Sequence, residues 1–422
     1  MRKILSLLLV VVMLLGCCAM FASCGGSGKD PSEVKAALIA LHGTSSTYDK
    51  NFIEAFETAC KNKGLKEENY TIITDIPEGT ECYDEAANFA DEGYDVIFAD
   101  SFGHESYMLQ AAKEFPNVQF CHATGTTAHT ENVANFQNAF ASIYEGRYLA
   151  GIAAGMKLNE IKAAGNLKGE VPMMGYVGAF TYAEVISGYT SFYLGAKSVC
   201  PSVTMDVKFT GSWYDETKEK QAAQALIDGG CVLISQHADS MGAPTACETA
   251  KVPNVSYNGS TAAACPETFL ISSRINWAPY FEYMITQVKN GKEIDTDWTG
   301  TIATGSVVLT DINTIAAAAG TVEAIAEAKA AFEKSEIKVF NTAADNFITV
   351  GGTKLDSYMA DVDTDEAYAK DTEVVFDGFF HESEFRSAPY FDVQIDGIEL
   401  TTLDEKQLRE MRTKIGMIFQ HF

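Results

Sequence analysis

Along the chain, short apolar and β-branched runs alternate with stretches in which apolar residues recur every three or four positions. Residues 35–41 form the first strand-like run. Residues 51–63 follow as a predicted helix, with Phe52, Ala55, Phe56 and Ala59 on one face and Gly64 as its stop. Strands are predicted over 70–74, 95–99 and 118–122, with helices over 83–92 and 106–114 between them. The same grammar restarts at 173–177 and continues with strands 203–209, 231–235 and 255–257. Its helices are 182–196, 216–227 and 243–250, and an Ala-rich stretch over 312–334 predicts a further packing helix. Strand and helix alternating at this rhythm build parallel βαβ units. Two such series predict an α/β fold of two doubly wound, Rossmann-like lobes, with a ligand cleft beyond the carboxyl ends of their strands.

The two ends break the pattern. Arg2 and Lys3 precede an apolar run over residues 4–21, the layout of an export signal. Small residues before Cys24, namely Ala22 and Ser23, predict a bacterial lipobox, with residues 1–23 removed and Cys24 acylated. Leu14-Leu-Gly-Cys17 is the competing lipobox. Gly25-Gly-Ser-Gly28 then reads as part of a flexible tether over 24–33. Several acyl chains on one cysteine would anchor the protein to the membrane from the extracytoplasmic side, at roughly 0.8 kcal/mol per buried methylene.

Composition narrows the classes. The 422 residues carry 57 acids against 31 bases, a net charge of −26. Nucleic acid is excluded as a partner, because phosphate binding needs Lys and Arg to displace counterions. With 47% hydrophobic and 21% charged residues, the chain has the make-up of a folded protein. Of ten cysteines, three lie in the leader region, and the remaining seven are widely spaced without a C-x-x-C pair. They predict neither a disulfide framework nor a zinc site, but small buried apolar residues.

Candidate chemistry collects at strand ends. Residues 42–52, 100–104 and 236–240 are polar and aromatic loops that follow the runs ending at 41, 99 and 235. Asp49, Asp100 and Asp239 in these loops are candidates either for ligand contact or for helix capping. A hydrolase would carry a Gly-x-Ser-x-Gly elbow, and none occurs, so Ser235, His237 and Asp239 are not read as a triad. His122 and His129 lack companion ligands for a metal, and no Walker A loop occurs. No cofactor, metal or covalent chemistry is expected.

The segments 46–52 (Ser-Thr-Tyr-Asp-Lys-Asn-Phe), 97–103 (Ile-Phe-Ala-Asp-Ser-Phe-Gly) and 144–155 (Tyr-Glu-Gly-Arg-Tyr-Leu-Ala-Gly-Ile-Ala-Ala-Gly) are distinctive together. So are 175–178 (Gly-Tyr-Val-Gly), 236–240 (Gln-His-Ala-Asp-Ser), 276–280 (Asn-Trp-Ala-Pro-Tyr) and 382–391 (Glu-Ser-Glu-Phe-Arg-Ser-Ala-Pro-Tyr-Phe). In this order the chain over about 34–400 resembles the basic membrane protein family of substrate-binding lipoproteins, the purine nucleoside receptor A-like group. The resemblance implies a type I periplasmic-binding fold with three crossovers. Its first lobe would comprise about 34–145 with a returning segment near 268–310, and its second about 146–267 with about 311–390. It further implies a purine nucleoside or nucleobase ligand and ABC permease subunits as membrane partners. The alternative is a sensing lipoprotein that passes its signal to a membrane receptor.

A purine offers two flat faces and a rim of donors and acceptors. By position, Tyr48, Phe102, Phe180, Trp213 and Trp277 are the expected stacking residues, and Asp49, Asp239 and Asn258 the expected hydrogen-bonding ones. Asn276 and Trp277 stand where the nucleoside receptors often carry Lys, which leaves room for a bare base. Residues 401–422 instead resemble the stretch before the Q-loop of methionine-type importer ATPases, with Gln420 in the glutamine position. Without the phosphate loop and the Walker B acid, that tail is expected to be a non-functional fragment.

Overall fold

β-Branched and aromatic runs flanked by amphipathic helices give two parallel sheets. The computed structural model describes residues 29–343, 347–363 and 369–400. The expected lipidation site Cys24 and the tail 401–422 lie outside the described residues.

In the first lobe, β1 (Ala36–Ile39), β2 (Tyr70–Ile73), β3 (Val96–Ala99), β4 (Gln119–Ala123) and β5 (Phe136–Ala141) alternate with α1 (Thr47–Lys63), α2 (Thr80–Asp91), α3 (Glu105–Glu114) and the short α4 (Ala128–Glu131). The strands lie in the order β5-β4-β3-β1-β2, each pair parallel. Every residue of β1, β3 and β5 is buried, as expected for strands covered on both faces. The long helix α5 (Ile143–Ala163) leads into the second lobe. There β6 (Met173–Gly178), β7 (Thr204–Phe209), β8 (Ile234–His237), β9 (Asn254–Tyr257) and β10 (Phe269–Ile275) alternate with α6 (Ala183–Val199), α7 (Glu216–Asp228) and α8 (Gly242–Ala250). Their order, β10-β9-β8-β6-β7, repeats that of the first lobe.

The chain then returns: α9 (Ala278–Lys289) packs on α1, and β11 (Asp297–Gly300) extends the first sheet beside β5. A third passage brings β12 (Val307–Leu309) back beside β10, antiparallel, followed by α10 (Thr321–Glu333). The returning segment is therefore shorter than the expected 268–310, because β10 and β12 both pair in the second sheet. Three small hairpins follow: β13 (Thr349–Val350) with β14 (Thr353–Lys354), β15 (Met359–Ala360) with β16 (Thr372–Glu373), and β17 (Val375–Phe376) with β18 (Phe379–Phe380). β19 (Ile398–Leu400) closes the far edge of the second sheet beside β7. The segment before it also touches the first lobe, where the Ser387 hydroxyl donates to Asp297 and accepts from Asn138.

Three expected helices start three or more residues from where the pattern placed them, and among them α2 begins at Thr80 rather than at 83. α1 begins at Thr47 rather than at 51, because Ser46 caps it by accepting the Asp49 N–H. The 312–334 stretch is helical only from Thr321, since Gly320 is left-handed at φ 82° and breaks the run. All seven described cysteines are buried and free. Among the described residues, no helix is long and apolar enough to cross a membrane. Small residues decide how α5 meets α6: a Cβ on Gly151 would lie 2.1 Å from the Phe192 carbonyl oxygen, so only glycine permits this approach. That contact sets the height of α6, whose first turn reaches the cleft.

Candidate functional site

The strand-end loops of the two lobes meet around one cavity, with about 360 Å³ of atom-free space including its opening to solvent. Its walls are Leu41, Tyr48, Asp49, Ser101, Phe102 and Thr124 from the first lobe, and Glu184, Trp213, His237, Asp239 and Tyr257 from the second. The lobes are closed on each other. The Thr47 N–H donates to the Asp239 carbonyl at 3.1 Å, and the Asn51 side-chain amide donates to the Asn258 carbonyl at 3.0 Å.

In the first lobe the loop after β1 is held by Asp49. Its carboxylate accepts the His42 N–H at 2.7 Å and the Ser46 hydroxyl, while the Asp49 N–H donates back to the Ser46 oxygen. This reciprocal cap leaves Asp49 at the cavity wall with its oxygens already engaged. Asp100, at the end of β3, is fully buried; one oxygen accepts the Leu41 N–H at 3.1 Å, and the other has no hydrogen-bond partner among the described residues. Burial, reinforced by the nearby Asp49 charge, pushes its carboxyl well above the usual range. The Tyr48 hydroxyl donates to the Asp100 carbonyl at 2.8 Å, which fixes the ring at the wall. Glu78 positions the next loop, accepting the Ser101 hydroxyl at 2.6 Å and the Gly103 N–H at 2.9 Å on either side of Phe102.

In the second lobe, Asp239 follows β8. The buried Glu219 accepts the Ser240 N–H at 3.3 Å and the Asp215 N–H at 3.2 Å, tying the Asp239 loop to the start of α7. Burial pushes the Glu219 carboxyl up to about 7. The Asp239 N–H donates to the Trp213 carbonyl at 3.0 Å, so the acid and the indole move as one unit. The Asp239 side chain itself makes no hydrogen bond among the described residues. Burial first, then the charges of Asp49, Glu219 and Glu184, push its carboxyl well above the usual range. An uncompensated buried carboxylate of this kind is stabilised by a donor from a ligand. Beside it, His237 Nε2 lies 3.4 Å from Glu184 Oε1, and burial keeps His237 below the usual histidine range.

An aromatic seam closes the cavity. Phe102 of the first lobe stacks on Tyr182 of the second at 5.0 Å between centroids and 30°. Tyr182 stacks in turn on Phe180 at 5.2 Å, and Phe180 meets Trp213 edge-on at 5.0 Å. Offset and edge-to-face contacts of this kind suit a slot for a flat ring. Among the described residues, no Lys or Arg lines the cavity.

Of the expected site residues, Tyr48, Asp49, Phe102, Trp213 and Asp239 stand on the wall. Phe180 stands behind it in the aromatic seam. Trp277 does not reach the cavity. It is 1% exposed and stacks on Phe52 at 4.3 Å inside the first lobe, where α9 packs on α1. Asn258, left-handed at φ 61°, also lies off the wall, and its Oδ1 accepts from Asn51 at 3.2 Å as an interlobe clasp. Sequence reasoning missed Ser101, Thr124, Tyr182, Glu184 and Tyr257, and it considered His237 only as a triad member. The Ser235 hydroxyl donates to the Val255 carbonyl at 2.8 Å, not to His237. Strand-end position was a usable signal for Tyr257, while Glu184 gave no sign beyond the first turn of a helix.

The family model described as "Bmp: ABC transporter substrate-binding protein PnrA-like" matches residues 38–340. The chain belongs to the Bmp family. Among curated relatives of this Bmp protein, a putative ABC transporter glucose-binding protein of Haloferax volcanii is 35% identical over 213 residues, 50% of this chain and 51% of its own length. A purine-binding protein of Brucella abortus is 34% identical over 211 residues, 50% of this chain and 56% of its own length. An ABC transporter nucleoside-binding protein of Lactococcus lactis is 28% identical over 256 residues, covering 59% and 67%. The matched stretch thus spans about half the length of the first two. In fold, the Bmp chain is similar to a solved solute-binding protein from Aeropyrum pernix, with TM-score 0.61 and 16% identity over 74% of this chain and 94% of that one. A solved solute-binding protein from Conexibacter woesei gives TM-score 0.59 and 21% identity, covering 74% and 99%. The type I periplasmic-binding fold expected from the sequence is the fold observed.

Proposed function

We propose that this Bmp protein captures a purine nucleobase or nucleoside between its lobes and delivers it to the permease subunits of an ABC importer, anchored on the extracytoplasmic face through a lipid on Cys24. One observation carries the reading: aromatic rings, Tyr48, Phe102 and Trp213, line a closed slot together with the unpartnered Asp239 carboxylate. Flat faces stack on the rings, and ring N–H or amino donors satisfy the acid. The absence of Lys and Arg from the wall disfavours phosphorylated ligands. Capture is lobe closure, with no covalent step.

Mass spectrometry of ligand retained through purification, followed by titration with adenine, hypoxanthine, adenosine, guanosine and glucose, tests the reading. Purine binding with glucose inert supports it. Retention of a sugar alone overturns it and favours the ligand named for the Haloferax relative.

A further inference from the structure

Arg147 sits in the second turn of α5, fully buried, beneath the cavity floor. A guanidinium in such a place ordinarily pairs with a carboxylate, because an isolated buried cation is costly. Here its hydrogen bonds go to neutral oxygens: the Tyr176 hydroxyl at 2.8 Å, the Ser235 hydroxyl at 3.0 Å and the Ser256 carbonyl at 3.4 Å. Its Nε has no partner among the described residues. Three rings enclose it instead, with Tyr176, Phe192 and Tyr257 centred 5.2, 5.0 and 5.1 Å from Cζ. Cation–π contact offsets part of the desolvation. Replacing buried charged groups by hydrophobic residues of similar volume is often neutral for stability, so burial by itself does not call for an arginine here.

The enclosure leads to the ligand cavity. Tyr257 packs against His237 at 4.4 Å between centroids, His237 meets Glu184, and all three line the wall. Space for the His237 ring comes from Gly188, where a Cβ would lie 2.7 Å from Nδ1. We propose that Arg147 is a positioning residue of the cleft, acting on the ligand through Tyr257 and His237. The charged and titratable groups facing His237 are Glu184 from α6, Arg147 from α5 and Tyr257 from β9. Burial is the main influence that lowers its basicity; Glu184 opposes it and Arg147 adds to it. Arg147, packed against the Tyr257 ring that meets His237, thus acts in the same direction as burial and against Glu184, favouring the neutral imidazole beside the Glu184 carboxylate at the wall.

This inference rests on the cleft being the binding site, and its test separates the two ideas. Ring nitrogen shifts of His237, followed by NMR from pH 4 to 8 in ligand-free protein, should give a higher midpoint in Arg147→Met than in wild type. Arg147→Lys, which keeps the charge, should stay near wild type. In adenine titrations, the ratio of affinity at pH 8 to that at pH 5 should rise in Arg147→Met relative to wild type. Arg147→Gln serves the same comparison if the methionine variant does not fold. An unchanged His237 midpoint in the neutral variants, or an equal shift in Arg147→Lys, overturns the proposal. Failure of wild type to bind adenine or any other purine overturns the purine reading instead, and the NMR titration still decides the role of Arg147.

Discussion

The two lobes carry the same topology and each places acids and a tryptophan after its strand ends, yet they use them differently. In the first lobe Asp49 is engaged by its own helix cap, Asp100 turns back to the Leu41 amide, and Trp277 is stacked into the core on Phe52. In the second, Asp239 has no side-chain partner among the described residues and Trp213 faces the cavity. At the cavity wall the first lobe is thus preformed, with Asp49 engaged before ligand arrives, while Asp100, one oxygen of which has no partner among the described residues, stands off the wall. The second lobe holds the unpartnered acceptor on the wall itself, so the ligand completes it. A carboxylate at a strand end reads alike in both sequences, and only its hydrogen-bond partners separate a cap from a contact.

Five experiments test this contrast, from the largest expected effect to the smallest. Trp277→Ala should cost about 3–5 kcal/mol of folding stability by denaturant titration, as loss of a buried aromatic does, while the affinity of the folded fraction stays near wild type. A tenfold or greater loss of affinity in that fraction would return Trp277 to the site. Asp239→Ala should weaken ligand binding by about 2 kcal/mol, roughly thirtyfold, measured by calorimetry, with the unfolding midpoint unchanged or raised. Equal affinity in the variant would mean that the free acceptor is not the ligand contact.

Asp49→Ala should do the reverse, lowering stability by about 1 kcal/mol through the lost cap, with a smaller effect on affinity than Asp239→Ala. Glu382 extends the comparison to an acid that the second lobe buries away from the cavity wall. It accepts from the Ser187 hydroxyl, leaves one oxygen without a partner among the described residues, and is pushed by burial up to about 7, above the ordinary 4.5. The native state therefore holds this proton more tightly than the unfolded chain, so the contribution is complete below about pH 4.5 and declines as pH rises to about 7. Glu145 and Glu219 are pushed to about the same value, so Glu382→Gln should remove about a third of the fall in thermal midpoint between pH 5 and 8 that these groups cause. An unaltered pH profile would show that Glu382 is ionised in the native protein at pH 5. Deleting residues 401–422 should leave affinity unchanged in the same calorimetric assay. A marked loss would show that the tail has a function.

Much of the fold was legible because parallel strands buried on both faces form short apolar runs, and both βαβ series follow from them. The passages between lobes were not legible in this way. β11 is half-polar, with Asp297 and Trp298 partly exposed at the sheet edge, and β12 has three residues, so neither produces a periodic signal. The strand-end rule found five wall residues, since position in a doubly wound sheet fixes where loops converge. The family resemblance misplaced Trp277, because an aromatic residue just before a helix serves a core and a cleft equally well. Glu184 and Tyr182 escaped because helix starts commonly carry such residues for local reasons.

By itself, the sequence determined the acidic character, the two repeated α/β units and the loops that could hold a ligand, because local periodicity and turn chemistry encode these. The tertiary structure decided which carboxylate is free, which tryptophan faces the cavity, and that a buried arginine lies beneath its floor. Those outcomes depend on pairings between residues far apart in the chain, such as Asn51 with Asn258 and Arg147 with Ser235, and no local pattern records them.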